Sequence, residues 1–226
     1  MNDEVKPKSE LISLFVTPVV KSNIGRKFTK DELQVFNTGI PMFRDTLMHQ
    51  TKGEVVSIDS PKNQSESYNI FDDFVEELKD IKTFCEQELK RYLEEIEGVD
   101  TDITNLSITA SWLNKIKPQE CTHPHSHGNS HLTGILYISC VPNDSIQFIN
   151  MNCHPRSFGR LELPKKETTT FTADTASVNV KEGDLILFPS WVPHQVGVNK
   201  TENKERISLS FDTFPTYLPS LYPPFK

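Results

Sequence analysis

Four of the seven histidines of the chain fall within nine consecutive positions, His123, His125, His127 and His131. Alternate residues of a β-strand point to the same face, so a His-x-His pair can bind one metal ion from one side. Imidazole is a ligand for iron, zinc, copper and nickel. A metal ion held in this way needs a third ligand from elsewhere in the chain, and a free position if it takes part in catalysis.

The third ligand that we predict is His194, which closes the segment Pro189-Ser-Trp-Val-Pro-His194. Two prolines restrict the backbone of this segment, which suits a residue that must be held in place. Twelve positions later, Arg206 opens an alternating segment that is typical of a strand. Its polar residues Arg206, Ser208 and Ser210 should lie on one face.

Each of these residues has a simpler explanation when it is taken alone. A histidine-rich segment can be a solvated turn, His194 can be structural, and Arg206 can be a salt-bridged strand residue. We assign structural roles to His131 and His154. The combination and its order along the chain favour a metal site.

The same order resembles the His-x-(Asp/Glu)…His…Arg pattern of Fe(II)/2-oxoglutarate-dependent oxygenases. More narrowly, the chain is similar to a group of that superfamily that is common in marine bacteria and their phages. The segments that carry the resemblance are Leu14-Phe-Val-Thr-Pro-Val19, Trp112-Leu-Asn114, His125-Ser-His127, Thr133-Gly-Ile-Leu-Tyr137, Gly183 to His194, and Glu205-Arg-Ile-Ser-Leu-Ser-Phe211.

The resemblance implies that His125 and His194 bind Fe(II). It also implies that Arg206 forms a bidentate salt bridge with the distal carboxylate of 2-oxoglutarate, for which its planar guanidinium is suited. Further contacts to the co-substrate are implied for Ser208, Tyr137 and Asn114, the last of which could instead reach the metal-bound water.

One position departs from the family pattern, because His127 stands where the superfamily has Asp or Glu. Either His127 completes an all-histidine triad, or a carboxylate from Glu120 or Asp144 does. A register that uses His123 and His125 as the pair is a further alternative. The spacing to the following strand favours the set His125, His127 and His194.

The activity implied by the resemblance is that of a dioxygenase. It would use O2 to convert 2-oxoglutarate to succinate and CO2 while hydroxylating a small-molecule or peptidyl substrate. Trp112 and Trp191 are candidates for walls of the pocket, with core packing as the alternative for each, and the loop Cys153–Thr175 is predicted to determine specificity. Two alternatives are a zinc-dependent hydrolase or hydratase with a three-histidine site, and a non-catalytic jelly-roll binding module.

Residues 1–100 are predicted to support this site with one strand and two helices. The strand is Leu11–Val20, and the first helix opens at Thr29. The segment Thr51–Ser67 is polar and predicted to be a loop. Apolar residues recur at three- and four-residue steps from Phe71 to Ile96, which indicates a second helix that ends at Gly98.

From about residue 101, short β-rich segments replace the helical pattern. We predict a mainly β fold with N-terminal helices (α+β), whose core is a double-stranded β-helix, the jelly-roll or cupin-like architecture. Residues 1–226 would form a single domain with its core at 101–214 and an extended tail at 215–226. The predicted strands are Leu106–Ile116, Thr133–Val141, Ser145–Met151, Ala176–Val180, Asp184–Phe188, Gln195–Val198 and Arg206–Phe214.

The overall composition restricts the partners. The formal net charge is −7 and no basic run stands out, which argues against binding to a nucleic-acid backbone. The four cysteines contain no C-x-x-C pair and are predicted to be free thiols in a reducing compartment. Because no signal peptide or membrane span is evident, we predict a cytoplasmic location, in the host cytoplasm if the chain is phage-encoded. Added helices could support a homodimer.

Overall fold

A computed structural model describes residues 16–39, 47–51, 54–57, 69–151, 164–170 and 172–218. Eleven strands and three α-helices are assigned within these residues. They are β1 Val20–Asn23, α1 Lys30–Thr38, β2 Leu47–Thr51, β3 Glu54–Ser57, α2 Ile70–Asp73, α3 Lys79–Tyr92 with a π-helical last turn Leu93–Glu97, β4 Leu106–Ile116, β5 Glu120–Thr122, β6 Leu132–Ser139, β7 Ser145–Ile149, β8 Thr175–Asn179, β9 Asp184–Pro189, β10 His194–Val196 and β11 Arg206–Pro215.

The largest sheet has five antiparallel strands in the order β1-β9-β6-β11-β4. Strand β11 lies between β6 and β4, so its residues have neighbours on both sides. Ser208 is opposite Asn114 on β4 and Tyr137 on β6, and these three polar residues form one row across the sheet. The sheet therefore brings together residues that are far apart in the sequence.

A second antiparallel sheet, in the order β10-β7-β8, faces the first. In β7 the buried residues Ile146 and Phe148 alternate with half-buried ones, as expected for a strand with one face in the core. They pack with Ile186 and Phe188 of β9 in one apolar cluster between the sheets. Two facing antiparallel sheets with a shared core form a jelly roll, and the predicted mainly β fold with packed helices is confirmed.

The helices cover the other face of the five-stranded sheet. Ile81, Cys85 and Leu89 of α3 are fully buried at four-residue spacing and share a core cluster with Leu209 and Phe211 of β11. The predicted start of the first helix is confirmed, because the Thr29 side chain accepts from the backbone N–H of Glu32 and the Glu32 side chain accepts from Thr29 in a capping box. Gly98 ends the second helix in the left-handed region.

The single helix predicted from Phe71 to Ile96 is wrong in its first turns. A short helix α2 ends at Asp73, and Phe74 leaves helical backbone angles before α3 begins at Lys79. The N–H of Phe71 donates to Ser111 Oγ, which ties α2 to β4. Both helices bury apolar residues, so the apolar pattern continues across a break in the backbone.

Two predictions near the N-terminus also need correction. The strand predicted at Leu11–Val20 begins at Val20, where it pairs with β9, and residues 11–15 lie outside the described residues. Pro18 has no N–H to donate, which is unfavourable within a paired strand. The loop predicted at Thr51–Ser67 contains β3, which pairs with β2. No helix within the described residues is long and apolar enough to cross a membrane.

Candidate metal centre and its cavity

Three histidines meet at the open end between the two sheets. Ring nitrogens of His125, His127 and His194 all lie within 4.8 Å of one another. His125 and His194 exchange backbone hydrogen bonds of 3.0 and 2.9 Å, and the N–H of His127 donates to the carbonyl of Ser190. His125 and His127 therefore lie on an extended segment that pairs locally with β10, rather than on a strand of a sheet.

Each of the three imidazoles uses its Nδ1 in a hydrogen bond to an oxygen that can only accept. His125 Nδ1 lies 2.9 Å from the carbonyl oxygen of His123, and His194 Nδ1 lies 3.2 Å from that of Val192. His127 Nδ1 lies 3.0 Å from Asp212 Oδ2. These acceptors fix the Nδ1–H tautomer and leave the Nε2 lone pair of every ring free to bind a metal ion.

The unpaired Nε2 of His127 tests whether the residues fit a metal ion. This atom is buried and has no hydrogen-bond partner among the described residues. Leaving a buried acceptor unpaired is unfavourable, and a metal ion would satisfy it. Three imidazoles, with no fourth protein ligand among the described residues, also match the donor set of an open metal site. The residues therefore fit Fe(II).

The alternatives for the third ligand are not supported by the positions of those residues. Asp144 pairs with Arg206, and Glu120 Oε2 accepts from the N–H of Lys117. Neither carboxylate belongs to the histidine group, and His123 does not belong to it either. His123 instead provides the carbonyl that holds His125 in place.

Burial keeps two of these histidines, His125 and His194, neutral. His194 is 2% exposed, and burial, reinforced by His125 and His127, lowers its pKa from 6.5 to about 3. Burial also lowers the pKa of His125. Neutral imidazole is the form that binds metals, so the lowered pKa values of His125 and His194 favour metal binding by these two rings.

The free energy of unfolding of the metal-free protein is expected to fall as the pH decreases from 6.5 toward about 3. In this interval His194 is neutral when folded but protonated when unfolded, so a lower pH favours the unfolded state. One such group contributes up to about 1.4 kcal/mol per pH unit. Thermal melting of wild type and His194→Gln across this range measures the effect. The variant should show a weaker pH dependence, and equal slopes would contradict the assignment.

The histidines open into a cavity of about 260 Å³. Its floor is the five-stranded sheet, and alternate residues of β11 run along it. Asn114 donates to Ser210 Oγ at 2.8 Å, and the Trp112 ring stacks on His127 with centroids 5.6 Å apart. Trp112 therefore forms a wall, as predicted, whereas Trp191 is 60% exposed and is not among the lining residues. The lining residues from β11 are Arg206, Ser208, Ser210 and Asp212.

Arg206 marks the other end of the cavity, where it is 4% exposed. Its Nε donates to Asp144 Oδ2 at 2.8 Å, and its Nη2 lies 2.6 Å from Asp144 Oδ1. Its Nη1 donates to the carbonyl of Gly197 at 3.3 Å. The buried cation is thus paired with a buried carboxylate, which reduces the cost of desolvating either charge alone.

Tyr137 lies beside this ion pair with its hydroxyl buried. The hydroxyl has no hydrogen-bond partner within the described ranges. Burial raises the pKa of Tyr137, Asp144 raises it further, and Arg206 opposes them. The phenol therefore stays protonated and can donate to a bound ligand.

Two acidic residues that shape the site were not given these roles by sequence reasoning. Asp212 contacts His127, and Asp144 contacts Arg206. Asp212 continues the alternation of Arg206, Ser208 and Ser210, so the strand pattern contained a signal for it. The pairing of Asp144 with Arg206 joins residues 62 positions apart, and no local pattern indicates it. The described part of the loop Cys153–Thr175 is 164–170 and 172–175; the rest lies outside the described residues.

Residues 110–212 match the model of a protein family described as "Putative 2OG-Fe(II) oxygenase". The matched segment contains all three histidines, Arg206 and Asp212. No curated protein sequence matches the chain.

The solved structures that match this chain share little sequence with it. A 2OG-Fe(II) oxygenase family oxidoreductase from Burkholderia pseudomallei is 13% identical, with 54% of this chain and 48% of that chain covered and a TM-score of 0.38. This chain thus spans about half the length of that protein. A Pseudomonas putida prolyl-4-hydroxylase is 13% identical over 87% and 92% of the two chains, with a TM-score of 0.44. AviO1 from Streptomyces viridochromogenes is 14% identical over 90% and 91%, with a TM-score of 0.45.

Proposed function

We propose that the protein is a non-haem dioxygenase that hydroxylates a small-molecule or peptidyl substrate, on the premise that residues 110–212 match the model of the 2OG-Fe(II) oxygenase family. The family uses Fe(II) and 2-oxoglutarate, and the co-products would be succinate and CO2. The observation that carries the proposal is a single cavity with two buried, unpaired polar atoms. His127 Nε2 offers a lone pair to a metal ion, and the Tyr137 hydroxyl offers a proton to a carboxylate.

The geometry of Arg206 supports its role at the carboxylate end. A guanidinium carries five N–H groups in a plane. Asp144 takes the edge formed by Nε and Nη2, and the Gly197 carbonyl takes one N–H of Nη1. Among the contacts of the described residues, one N–H on Nη1 and one on Nη2 remain. Two N–H groups on neighbouring guanidinium nitrogens can hold a second carboxylate through parallel hydrogen bonds.

Neutral donors complete this end of the cavity. The protonated Tyr137 hydroxyl can donate to the same carboxylate, and Ser208 lies opposite Tyr137 on the neighbouring strand. Asn114 lies in the same row, nearer to the middle of the cavity floor than Arg206. 2-Oxoglutarate carries two carboxylates; these donors would hold its distal one, and the histidine-bound metal would take its keto acid end.

These positions give each part of the site a separate role. Fe(II) and 2-oxoglutarate supply the oxidative chemistry when they are bound. His125, His127 and His194 hold the metal, and Arg206 with Tyr137 fixes the orientation of the co-substrate. Apolar walls from Ile116, Ile135, Val196 and Trp112 keep water from the space between the two ends.

An anaerobic titration tests the proposal directly. Fe(II)-loaded protein is titrated with 2-oxoglutarate, and the weak visible charge-transfer band of the chelate is recorded. Pyruvate serves as the matched ligand control, because it has the keto acid group but no distal carboxylate. The variant is Arg206→Lys, which keeps a positive charge for Asp144 but loses the free guanidinium edge. We expect its dissociation constant for 2-oxoglutarate to rise by about 10- to 100-fold, since bidentate charged hydrogen bonds are among the strongest.

The pyruvate arm makes the result specific. Binding of pyruvate should be weak in wild type and equally weak in the variant. Succinate formation under O2 then shows whether the bound complex turns over. If metal binds stoichiometrically and neither keto acid gives a band, the oxygenase proposal fails, and a zinc-dependent hydrolase with the same three histidines becomes the better hypothesis.

A further inference from the structure

The three histidines differ in what holds them. His125 and His194 direct Nδ1 to neutral backbone carbonyls, whereas His127 directs Nδ1 to the carboxylate of Asp212. A carboxylate partner makes an imidazole a stronger metal ligand than a carbonyl does, because its negative charge stabilises positive charge on the ring. Asp212 therefore gives Nδ1 of His127 a negatively charged hydrogen-bond partner, whereas Nδ1 of each other ring contacts a neutral one.

The carboxylate of Asp212 is itself fixed in orientation. Oδ2 lies 3.0 Å from His127 Nδ1, and Oδ1 accepts from Thr133 Oγ1 at 2.7 Å. Thr133 is fully buried and sits opposite Asp212 in the pairing of β6 with β11. Its hydroxyl also lies 2.8 Å from Ser190 Oγ, on the segment whose carbonyl binds the N–H of His127. Both oxygens thus have separate partners, so the carboxylate cannot rotate without breaking a hydrogen bond.

The His127 ring is also held on its face and through its backbone. Trp112 stacks on it at an interplanar angle of 22°, and Trp112 pairs across the sheet with Ser210, two residues before Asp212. Trp112 fixes the plane of the ring, and Asp212 fixes its rotation within that plane. The result is that the buried Nε2 faces the other two histidines.

We propose that Asp212 is a positioning residue of the metal centre. Asp212 orients His127 and places a negative charge next to this neutral ligand. The inference rests on the three-histidine metal site of the proposed function, but not on 2-oxoglutarate binding. Asp212 would give the all-histidine ligand set a negative charge in its hydrogen-bonded surroundings. The Nδ1 atoms of His125 and His194 contact only neutral backbone carbonyls.

The test compares metal affinity in wild type, Asp212→Asn, Asp212→Glu and Asp184→Asn. Asp184 is a matched control: it is 1% exposed, accepts from Asn23 and the N–H of Lys181, and belongs to β9. Dissociation constants for Fe(II) and Zn(II) are measured by competition with a chromophoric chelator. Thermal melting of the metal-free proteins reports the folded fraction, and 15N shifts of labelled histidines report the tautomer of His127.

We expect Asp212→Asn to weaken metal binding by about 10- to 100-fold, as loss of an outer carboxylate partner does at other histidine sites. Asp212→Glu should restore part of the affinity, and Asp184→Asn should match wild type. If Asp212→Asn melts at a lower temperature but binds metal as tightly as wild type, Asp212 is merely structural and the inference is overturned. Wild type that binds metal but no 2-oxoglutarate would refute the proposed function and leave this inference standing; wild type that binds no metal would refute both.

Discussion

Replacement of His194 by alanine is expected to abolish metal binding and to lower succinate formation by at least about a thousand-fold, because two imidazoles alone do not make a stable open site. His194 is the most deeply buried of the three rings and the only one on a sheet strand. The ring centroids of His194 and His125 lie 4.4 Å apart, the shortest separation among the three rings. Loss of His194 therefore removes the ligand next to His125. Metal content of the purified protein and anaerobic Fe(II) titration measure the first effect.

The matched control for this variant is His131→Ala. His131 belongs to the same histidine-rich segment, but its side chain is half exposed and pairs with Glu97 on the π-helical turn. Its removal should leave metal content and turnover close to wild type. Full metal occupancy in His194→Ala, or an equal loss in both variants, would show that the cluster is not the metal centre.

The strands of the core were predictable because each is a short β-rich segment bounded by turn-forming residues. All seven strands predicted after residue 101 are present within two residues of the predicted limits. Alternation supports the prediction for β7, which buries every second residue, whereas β6 and β9 are buried along almost their whole length and are recognised by their apolar, β-rich composition. The additional strand β5 has only three residues, which is too short for either signal.

The helical region shows where periodicity is insufficient. Most residues of the apolar repeat from Phe71 to Ile96 face the sheet, and the backbone break at Phe74 does not interrupt that repeat. Val75, which fits the predicted stripe, is more than half exposed because it lies in the turn between the helices. Burial by the sheet and the contact of Phe71 with Ser111 decide the local geometry, and both depend on residues some 40 positions away.

In the candidate site, the residue types were predictable but their partners were not. Histidine spacing and the alternation on β11 indicated which side chains share a face. The contacts that orient them are long-range: Asp212 is 85 residues from His127, and Asp144 is 62 from Arg206. The simpler explanation of Arg206, a salt-bridged strand residue, also describes a contact that exists, because Arg206 pairs with Asp144. One guanidinium can pair with Asp144 on one edge and receive a ligand on another, so the structural and functional interpretations of Arg206 are compatible.

The largest expected effect on stability comes from Gly134, which contacts no ligand. It lies on β6, directly opposite Phe211 of β11. A methyl group added at Gly134 would overlap the ring of Phe211, which is fully buried and packs against Phe71. Because Phe211 is enclosed between the sheet and the helices, the ring has no free space into which it can move.

Gly134→Ala is therefore expected to lower the free energy of unfolding by about 3 kcal/mol, at the upper end of the usual range for overpacking. This corresponds to a melting temperature about 6–12 °C lower for a chain of this size. Gly197→Ala is the control, because that glycine is exposed and an added methyl group would meet nothing within 4 Å.

In the double variant Gly134→Ala, Phe211→Leu, the smaller side chain should relieve the overlap. The stability losses of the two single variants should therefore sum to more than the loss measured for the double variant. Additive losses, or a melting temperature of Gly134→Ala equal to that of wild type, would show that β6 and β11 are not packed as described. Since Thr133 and Ile135 flank Gly134 and contact Asp212 and the cavity, a forced shift of β6 should also weaken metal binding in the single variant and not in the control.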